Sequence, residues 1–162
     1  MSRRLILIRH AHSPHPKGVE DHERPLSERG RQQAFQVAEE LVDRDWLPDK
    51  AISSDAERAH QTWNAMMPVL EAAAGTIEME LTNALYEADV DDINEVIWAE
   101  DEETRCLALV GHNPGFSDVA GWLTGTSLSL SKASAALVEI DGDSWAEAVQ
   151  QSQGRLVELI RP

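Results

Sequence analysis

The sequence predicts an α/β protein, a three-layer α/β/α sandwich around a mainly parallel sheet. The run at 5–8 is apolar and β-branched, and the segment at 105–110 is apolar after Arg105; both have the composition of strands that are buried on both faces. Segments with apolar residues at helical spacing separate such runs, and strands that alternate with helices build a sheet covered on both sides. The chain has 162 residues, which predicts one domain over 1–162.

Strand and helix signals alternate along the whole chain. Ser27 is a predicted N-cap of the first helix, Asp55 caps the second, and Gly75 ends the second. Pro68 should kink or interrupt that second helix because proline lacks the amide hydrogen. The predicted elements after the first strand are a helix at 27–44, strands at 50–53 and 77–81 around a helix at 55–74, a helix at 91–99, a strand at 105–110, a helix at 114–123, and strands at 135–140 and 156–160 around a short helix.

Charge and composition exclude several classes of protein. The formal net charge is −15, which argues against binding to nucleic acid or to an anionic membrane. No apolar run reaches the length of a membrane span, and the single Cys106 cannot form an internal disulfide. We therefore expect a cytoplasmic protein. The same charge favours a partner whose docking face is neutral or basic.

Polar and cationic side chains follow three of the predicted strands. Arg9 and His10 come directly after the first strand, Arg58 follows the second, and His112 follows the strand at 105–110. Ligands of open α/β sheets bind outside the carboxyl ends of the strands. If the three strands are neighbours, these side chains converge on one crevice. Two guanidinium groups there suit a phosphoryl group, whose oxygens accept their paired donors.

Four motifs stand in the order that is found in a known family. They are Arg9-His10-Ala11, then 24–30 (Arg-Pro-Leu-Ser-Glu-Arg-Gly), then Ser53-Ser54 with Arg58-Ala59 and Gln61-Thr62, and finally Gly111-His112-Asn113-Pro114. In this order they resemble the histidine phosphatase superfamily, whose fold is phosphoglycerate mutase-like. Within that superfamily, the chain is similar to the SixA-type phosphohistidine phosphatases.

The resemblance implies a metal-independent phosphatase without a cofactor, which carries the phosphoryl group on a histidine. His10 matches the nucleophile, and it must be neutral to attack. Arg9 and Arg58 match the arginines that hold the phosphoryl oxygens, and His112 matches a second histidine that donates to them. Water then releases phosphate from His10. The implied partner is a phosphorylated protein, such as a histidine-containing phosphotransfer domain, or a small phosphoester.

Five further residues are candidates around this centre. By the same resemblance, Arg24 adds to the phosphate pocket and Asp21 is an acid beside it. Ser13 could donate to phosphate or shape the turn before Pro14, and Asn113 is a candidate substrate contact in its motif. Glu87 lies in the region where mutase-like members supply a proton donor, but a solvated loop carboxylate is the alternative.

Other functions remain open at this point. A small-molecule phosphoester phosphatase or a mutase of the same superfamily is the main alternative. A metal-dependent phosphoesterase could use His10 and His12 as ligands, although Arg9 and Arg58 would repel the ion. A non-catalytic module that binds phospho-ligands would need the cationic cage without the nucleophile.

Overall fold

The computed structural model describes residues 2–162 and has the predicted α/β/α architecture. The strands are β1 (Ser2–Arg9), β2 (Lys50–Ser54), β3 (Glu78–Thr82), β4 (Cys106–Gly111), β5 (Ala135–Asp141) and β6 (Arg155–Ile160). The helices are α1 (Glu28–Asp43), α2 (Glu57–Ala74), α3 (Val90–Trp98), α4 (Gly115–Thr124) and α5 (Trp145–Gln151), with 3-10 turns at Asp21–Glu23 and Asn83–Leu85. None of the helices formed by residues 2–162 combines the length and apolarity needed to cross a membrane.

One sheet contains the six strands, in the order β3-β2-β4-β1-β5-β6. β1, β2, β3 and β4 are joined by parallel pairings, and β5 runs antiparallel to both of its neighbours, β1 and β6. The prediction of a mainly parallel sheet is confirmed. The three strands that end in candidate site residues, β2, β4 and β1, are adjacent, so their carboxyl ends meet at one edge of the sheet.

Helices cover both faces of the sheet. Alternate residues of β1 point to opposite faces, so Ile6 and Ile8 pack with the helices α1 and α2, whereas Leu5 and Leu7 pack with α3, α4 and α5. These four side chains are fully buried. Burial on both faces is the reason that the run at 5–8 contains no polar residue.

The start of α2 differs from the prediction. Ser27 caps α1 as expected, since its side chain accepts from the Gly30 amide, but the N-cap of α2 is Ala56 and not Asp55. The Asp55 carboxylate instead pairs with His22 at 2.8 Å. Pro68 lies inside a continuous helix. Asn64, the residue four positions before Pro68, is exposed, so water can satisfy the carbonyl group that Pro68 leaves without an amide donor.

Two glycines allow close approaches that bring loops to the edge of the sheet. A Cβ atom on Gly30 would lie 2.3 Å from the His12 carbonyl oxygen, and one on Gly115 would lie 2.1 Å from the Ala88 carbonyl oxygen. Real side chains do not tolerate such distances. Gly30 therefore lets α1 contact the segment after β1, and Gly115 lets α4 contact the segment that carries Glu87.

Candidate active site

A cavity of about 360 Å³ lies at the carboxyl ends of β1, β2 and β4. Its lining combines four cationic side chains, three histidines and a carboxylate with two neutral polar residues. The residues are Arg9, His10, His15, Arg24, Arg58, Tyr86, Glu87, His112, Asn113 and Lys132. The structure thus brings together Arg9, His10, Arg58 and His112, as their positions after adjacent strands predict.

His10 is buried and held in one tautomer. Its Nδ1 lies 2.8 Å from the Ala11 carbonyl oxygen. A carbonyl can only accept, so Nδ1 carries the proton and Nε2 keeps its lone pair. Burial lowers the pKa of His10 to about 3, and the positive charges of Arg58 and Arg9 act in the same direction. His10 is therefore neutral at physiological pH, as a nucleophile must be.

The backbone after His10 is tied to helix α2. The Ala11 amide donates to Thr62 Oγ1 at 3.0 Å, and the Thr62 hydroxyl donates to the Arg58 carbonyl at 2.7 Å. Thr62 is fully buried. This chain of hydrogen bonds fixes the start of α2, and with it Arg58, relative to the nucleophile.

Arg58 is buried and oriented by Asp21. Its guanidinium donates to the Asp21 carbonyl oxygen at 2.5 Å and to Asp21 Oδ2 at 2.9 Å. Arg24 donates to the other carboxylate oxygen of Asp21 at 2.9 Å. A hydrogen bond from Tyr86 and those from Arg24 and Arg58 hold the pKa of Asp21 well below its usual range. Asp21 thus stays ionised and keeps the two guanidinium groups at the edge of the cavity.

Ser13 contributes to the loop and does not line the cavity. Its hydroxyl donates to the Pro25 carbonyl at 2.6 Å, and the residue is buried. Arg24 donates to the carbonyl oxygens of Pro14 and Ser13, at 3.0 Å and 3.3 Å. These contacts fit the turn role that we considered for Ser13, and they place Arg24 at the cavity wall.

His112 lies beside His10, with ring centroids 5.2 Å apart. Its Nε2 is 2.8 Å from Ser54 Oγ, while its buried Nδ1 has no partner among residues 2–162. If the Ser54 hydroxyl donates to Nε2, the proton of the neutral ring is on Nδ1. Burial lowers the pKa of His112 to about 4, and Arg58 acts in the same direction.

Arg9 and Asn113 hold the segment that follows α4. Arg9 Nη1 donates to the Leu130 carbonyl at 3.0 Å, and Asn113 Nδ2 donates to the same oxygen at 2.7 Å. Asn113 Oδ1 accepts from the amide and the hydroxyl of Ser117. The Asn113 side chain is therefore engaged with the protein, although the residue lines the cavity. Arg9 Nε is buried and has no hydrogen-bond partner among residues 2–162.

Tyr86 is a site residue that the sequence reasoning missed. Its hydroxyl donates to Asp21 Oδ2 at 2.6 Å, and its ring contacts the rings of His22 and His112 edge to face. The hydrogen bond to Asp21 raises the pKa of Tyr86 to about 12. Its position beside the candidate Glu87 was the available signal. Glu87 itself is exposed at the cavity wall and has a left-handed backbone, with φ 54°.

Lys132 and His15 also line the cavity, and no motif pointed to them. His12, the second histidine of the hypothetical metal site, has its Nδ1 2.7 Å from Ser27 Oγ. Within residues 2–162, His, Cys, Asp and Glu side chains form no group of three that could hold a metal ion. The histidines of this site therefore lie beside arginines and are not grouped as ligands of one ion.

Comparisons with known proteins agree with this geometry. The model of the histidine phosphatase superfamily (branch 1) matches residues 5–121. An uncharacterized chloroplastic protein of Arabidopsis thaliana is 34% identical over 91% of this chain and 71% of its own length. An uncharacterized protein of Mycobacterium leprae is 32% identical over 74% and 72% of the two chains.

Solved structures share the fold along the whole chain. A SixA protein of Nakamurella multipartitia, proposed to be a phosphohistidine phosphatase, has a TM-score of 0.87 at 23% identity, covering 100% of this chain and 97% of that one. A second SixA protein, from Agrobacterium tumefaciens and proposed to have the same activity, has a TM-score of 0.81 at 26% identity, covering 99% and 98%. The phosphoglycerate mutase-like fold and the resemblance to SixA-type proteins are thereby confirmed. The chain belongs to the histidine phosphatase superfamily and is a phosphatase.

Proposed function

We propose that this phosphatase removes the phosphoryl group from phosphohistidine on a protein, by way of a phosphorylated His10. The observation that carries the proposal is the neutral, tautomerically fixed imidazole of His10 next to two arginines and a second imidazole. His10 Nδ1 is committed to the Ala11 carbonyl, so Nε2 is the nitrogen that can attack. The arginines Arg9 and Arg58 both line the cavity into which a phosphoryl group fits.

The first step transfers the phosphoryl group to His10. The lone pair of His10 Nε2 attacks phosphorus, a new P–N bond forms, and the P–N bond to the substrate imidazole breaks. The electron pair of the broken bond stays on the substrate nitrogen, which takes a proton from solvent or from Glu87. Arg9, Arg58 and His112 stabilise the charge on the equatorial oxygens, which is the main task of a protein in phosphoryl transfer.

The second step returns His10 to its starting state. Water attacks the phosphorus of phospho-His10, the P–Nε2 bond breaks, and its electron pair returns to Nε2. Inorganic phosphate leaves, and the proton lost by water passes to phosphate or solvent. The hydrogen bond from Nδ1 to Ala11 is kept throughout, so the same tautomer is ready for the next turnover.

Among residues 2–162, no buried carboxylate lines the cavity, and this favours phosphohistidine as the substrate. An alkyl phosphate leaves as a strongly basic alkoxide and needs a positioned proton donor, whereas an imidazole nitrogen can collect its proton from solvent. The carboxylate that lines the cavity, Glu87, is exposed. Because Glu87 is nevertheless within the lining, hydrolysis of a small phosphoester is the second candidate activity.

The partner that we propose is defined by its chemistry, as a protein that carries phosphohistidine. A histidine-containing phosphotransfer domain presents its phosphohistidine on a protein surface, and such a side chain could enter the cavity from solvent. The cytoplasmic location stays a prediction.

The proposal is tested by comparing kcat/KM on three classes of substrate with the same enzyme preparation. These are a phosphohistidine protein, peptides with phosphoserine or phosphotyrosine, and sugar phosphates. We expect the phosphohistidine protein to be preferred by about a hundredfold or more, a margin in the range that general acid catalysis supplies. Faster turnover of any phosphoester class would contradict the proposal. The His10→Ala variant is the control for contaminating phosphatases.

A further inference from the structure

A second, larger cavity adjoins the catalytic one. It has a volume of about 590 Å³ and shares Arg9 and Lys132 with the catalytic cavity, so the two cavities are neighbours. Arg29 and Arg161 complete its cationic lining, and no acidic side chain among residues 2–162 contributes to it. We call this space the basic groove, defined by Arg9, Arg29, Lys132 and Arg161.

The basic groove is unexpected in a chain with 29 acidic and 14 basic residues. Arg29, Lys132 and Arg161 are exposed, and their side chains form no hydrogen bond or ion pair within residues 2–162. Cations elsewhere on the surface do pair with carboxylates: Arg31 with Glu28, Arg44 with Glu40 and Glu158, Lys50 with Glu100, and Arg155 with Glu139. Unpaired cations that line one concave surface attract an anion.

The electrostatic setting of His12 agrees with this distribution of charge. His12 also lines the second cavity. Burial lowers the pKa of His12, and the positive charges of Lys132 and Arg29 lower it further. The positive charges of Lys132 and Arg29 thus act on a residue that lines the groove, although the whole molecule has a net charge of −15.

We propose that the basic groove binds acidic side chains that flank the phosphohistidine of the substrate protein, an inference that rests on the proposed function. The groove starts at Arg9, beside the nucleophile, so residues next to the phosphohistidine in the partner reach it. Its outer cations come from three separate places, namely α1 for Arg29, the segment before β5 for Lys132, and the residue after β6 for Arg161. Such a spread suits several carboxylates better than one compact phosphate, which needs converging donors.

The basic groove changes the expectation for the partner's surface. The net charge of −15 alone favoured a neutral or basic docking face. Interfaces, however, respond to the local potential, and charged groups at the rim of an interface mainly affect the rate of association and its dependence on salt. The docking face is accordingly acidic around the phosphohistidine.

The test uses three phosphohistidine peptides of equal length, with glutamate, glutamine or lysine at the flanking positions, together with phosphoramidate. We expect kcat/KM for the glutamate peptide to exceed that for the glutamine peptide about tenfold at low salt, with the lysine peptide slowest. The advantage of glutamate should shrink as salt is raised. Equal values for all three peptides would overturn the inference.

Two variants separate the groove from general charge effects. The double variant Arg29→Gln/Arg161→Gln should lose about fivefold of the preference for glutamate and keep its turnover of phosphoramidate. Arg155→Gln removes one positive charge at the opposite end of the sheet and should leave the preference unchanged. A glutamate preference that stays near tenfold in the double variant contradicts the inference. If the wild-type protein hydrolyses neither phosphoramidate nor any of the three peptides, the result contradicts the proposed function instead.

Discussion

The Tyr86 hydroxyl donates a 2.6 Å hydrogen bond to Oδ2 of Asp21, the same oxygen that accepts from Arg58 at 2.9 Å. Asp21 therefore connects a phenol from the loop before α3 to a guanidinium of the phosphate pocket. Neither Tyr86 nor Asp21 has to touch the phosphoryl group to matter for its binding. Their contact fixes the direction in which Arg58 presents its remaining donors.

We predict that Tyr86→Phe lowers kcat/KM about three- to tenfold, the value of one neutral-to-charged hydrogen bond. Arg58 keeps its charge in this variant and loses part of its orientation, so the effect should appear mainly in KM. Steady-state kinetics on a phosphohistidine substrate measures it. Unchanged kinetics would mean that Asp21 does not need the phenol to hold Arg58. A fall in kcat alone would place Tyr86 in the chemical step.

The same hydrogen bond has a consequence for acid stability. The pKa of Asp21 is lowered in the folded protein, so its stabilising effect is present above about pH 4 and is lost as pH falls further. In Tyr86→Phe the pKa of Asp21 should rise toward its usual value. We expect chemical denaturation at pH 7 to give a lower free energy of unfolding for Tyr86→Phe than for the wild-type protein. This difference between the two proteins should become smaller below pH 4. A loss of equal size at both pH values would contradict this explanation.

The two active-site histidines should not titrate in the physiological range. Burial lowers the pKa of His10 to about 3 and that of His112 to about 4. A lowered histidine pKa means that the neutral form dominates at every pH above it. We therefore expect the imidazole resonances of both residues to stay constant from pH 6 to 8 by NMR. The unfolded chain, with histidine pKa values near 6.5, is the control, and an inflection near 6.5 for His10 in the folded protein would contradict the account.

Glu87→Gln distinguishes the two candidate activities. Loss of a general acid should reduce hydrolysis of a phosphoester about a hundredfold or more, because an alkoxide needs the proton. Hydrolysis of phosphohistidine should change less than about threefold, since imidazole can take its proton from solvent. Glu103→Gln, an exposed carboxylate outside the cavity lining, is the matched control. An equally large loss on both substrates would make Glu87 the proton donor for phosphohistidine as well.

Two glycines of α4 should respond oppositely to alanine. A Cβ on Gly115 would meet the Ala88 carbonyl oxygen at 2.1 Å, whereas one on Gly121 meets its nearest neighbour at 3.5 Å. Gly115→Ala should cost about 1–3 kcal/mol through overpacking and reduce activity by displacing the segment with Tyr86 and Glu87. Gly121→Ala should be neutral or stabilise by up to about 1 kcal/mol through helix propensity. Thermal unfolding of both variants checks this, and equal destabilisation would contradict it.

The fold could be predicted from the sequence, and so could the positions of the site residues that directly follow the ends of strands. Arg9, His10 and His112 could be assigned to the carboxyl edge of the sheet, because polar side chains of a strand that is buried on both faces can reach solvent only at the end of that strand. The network around Asp21 was only partly predictable. The resemblance pointed to Asp21, but its contact with Tyr86 joins residues 65 apart in the chain, and no local pattern encodes that pairing.

Some local expectations failed for physical reasons that depend on tertiary contacts. Asp55 has the chemistry of an N-cap, yet its carboxylate pairs with His22 from a distant loop, and Ala56 takes the cap position. The basic groove could not be predicted from the sequence, because Arg29 and Arg161 are 132 positions apart. Only the fold brings them to the lining of one cavity, Arg29 from α1 and Arg161 from the end of β6. The net charge of the chain predicted a neutral or basic docking face on the partner, whereas the cations of the groove favour an acidic one.

The most direct test of the account is to trap the phosphoryl group on the enzyme. We expect rapid quenching with an isotopically labelled phosphohistidine protein to leave acid-labile, alkali-stable label on the peptide that contains His10. The label should be absent from His10→Ala and should persist longer in variants whose second step is slowed. Full turnover by the wild-type protein with no label on His10, or undiminished turnover by His10→Ala, would contradict the central claim.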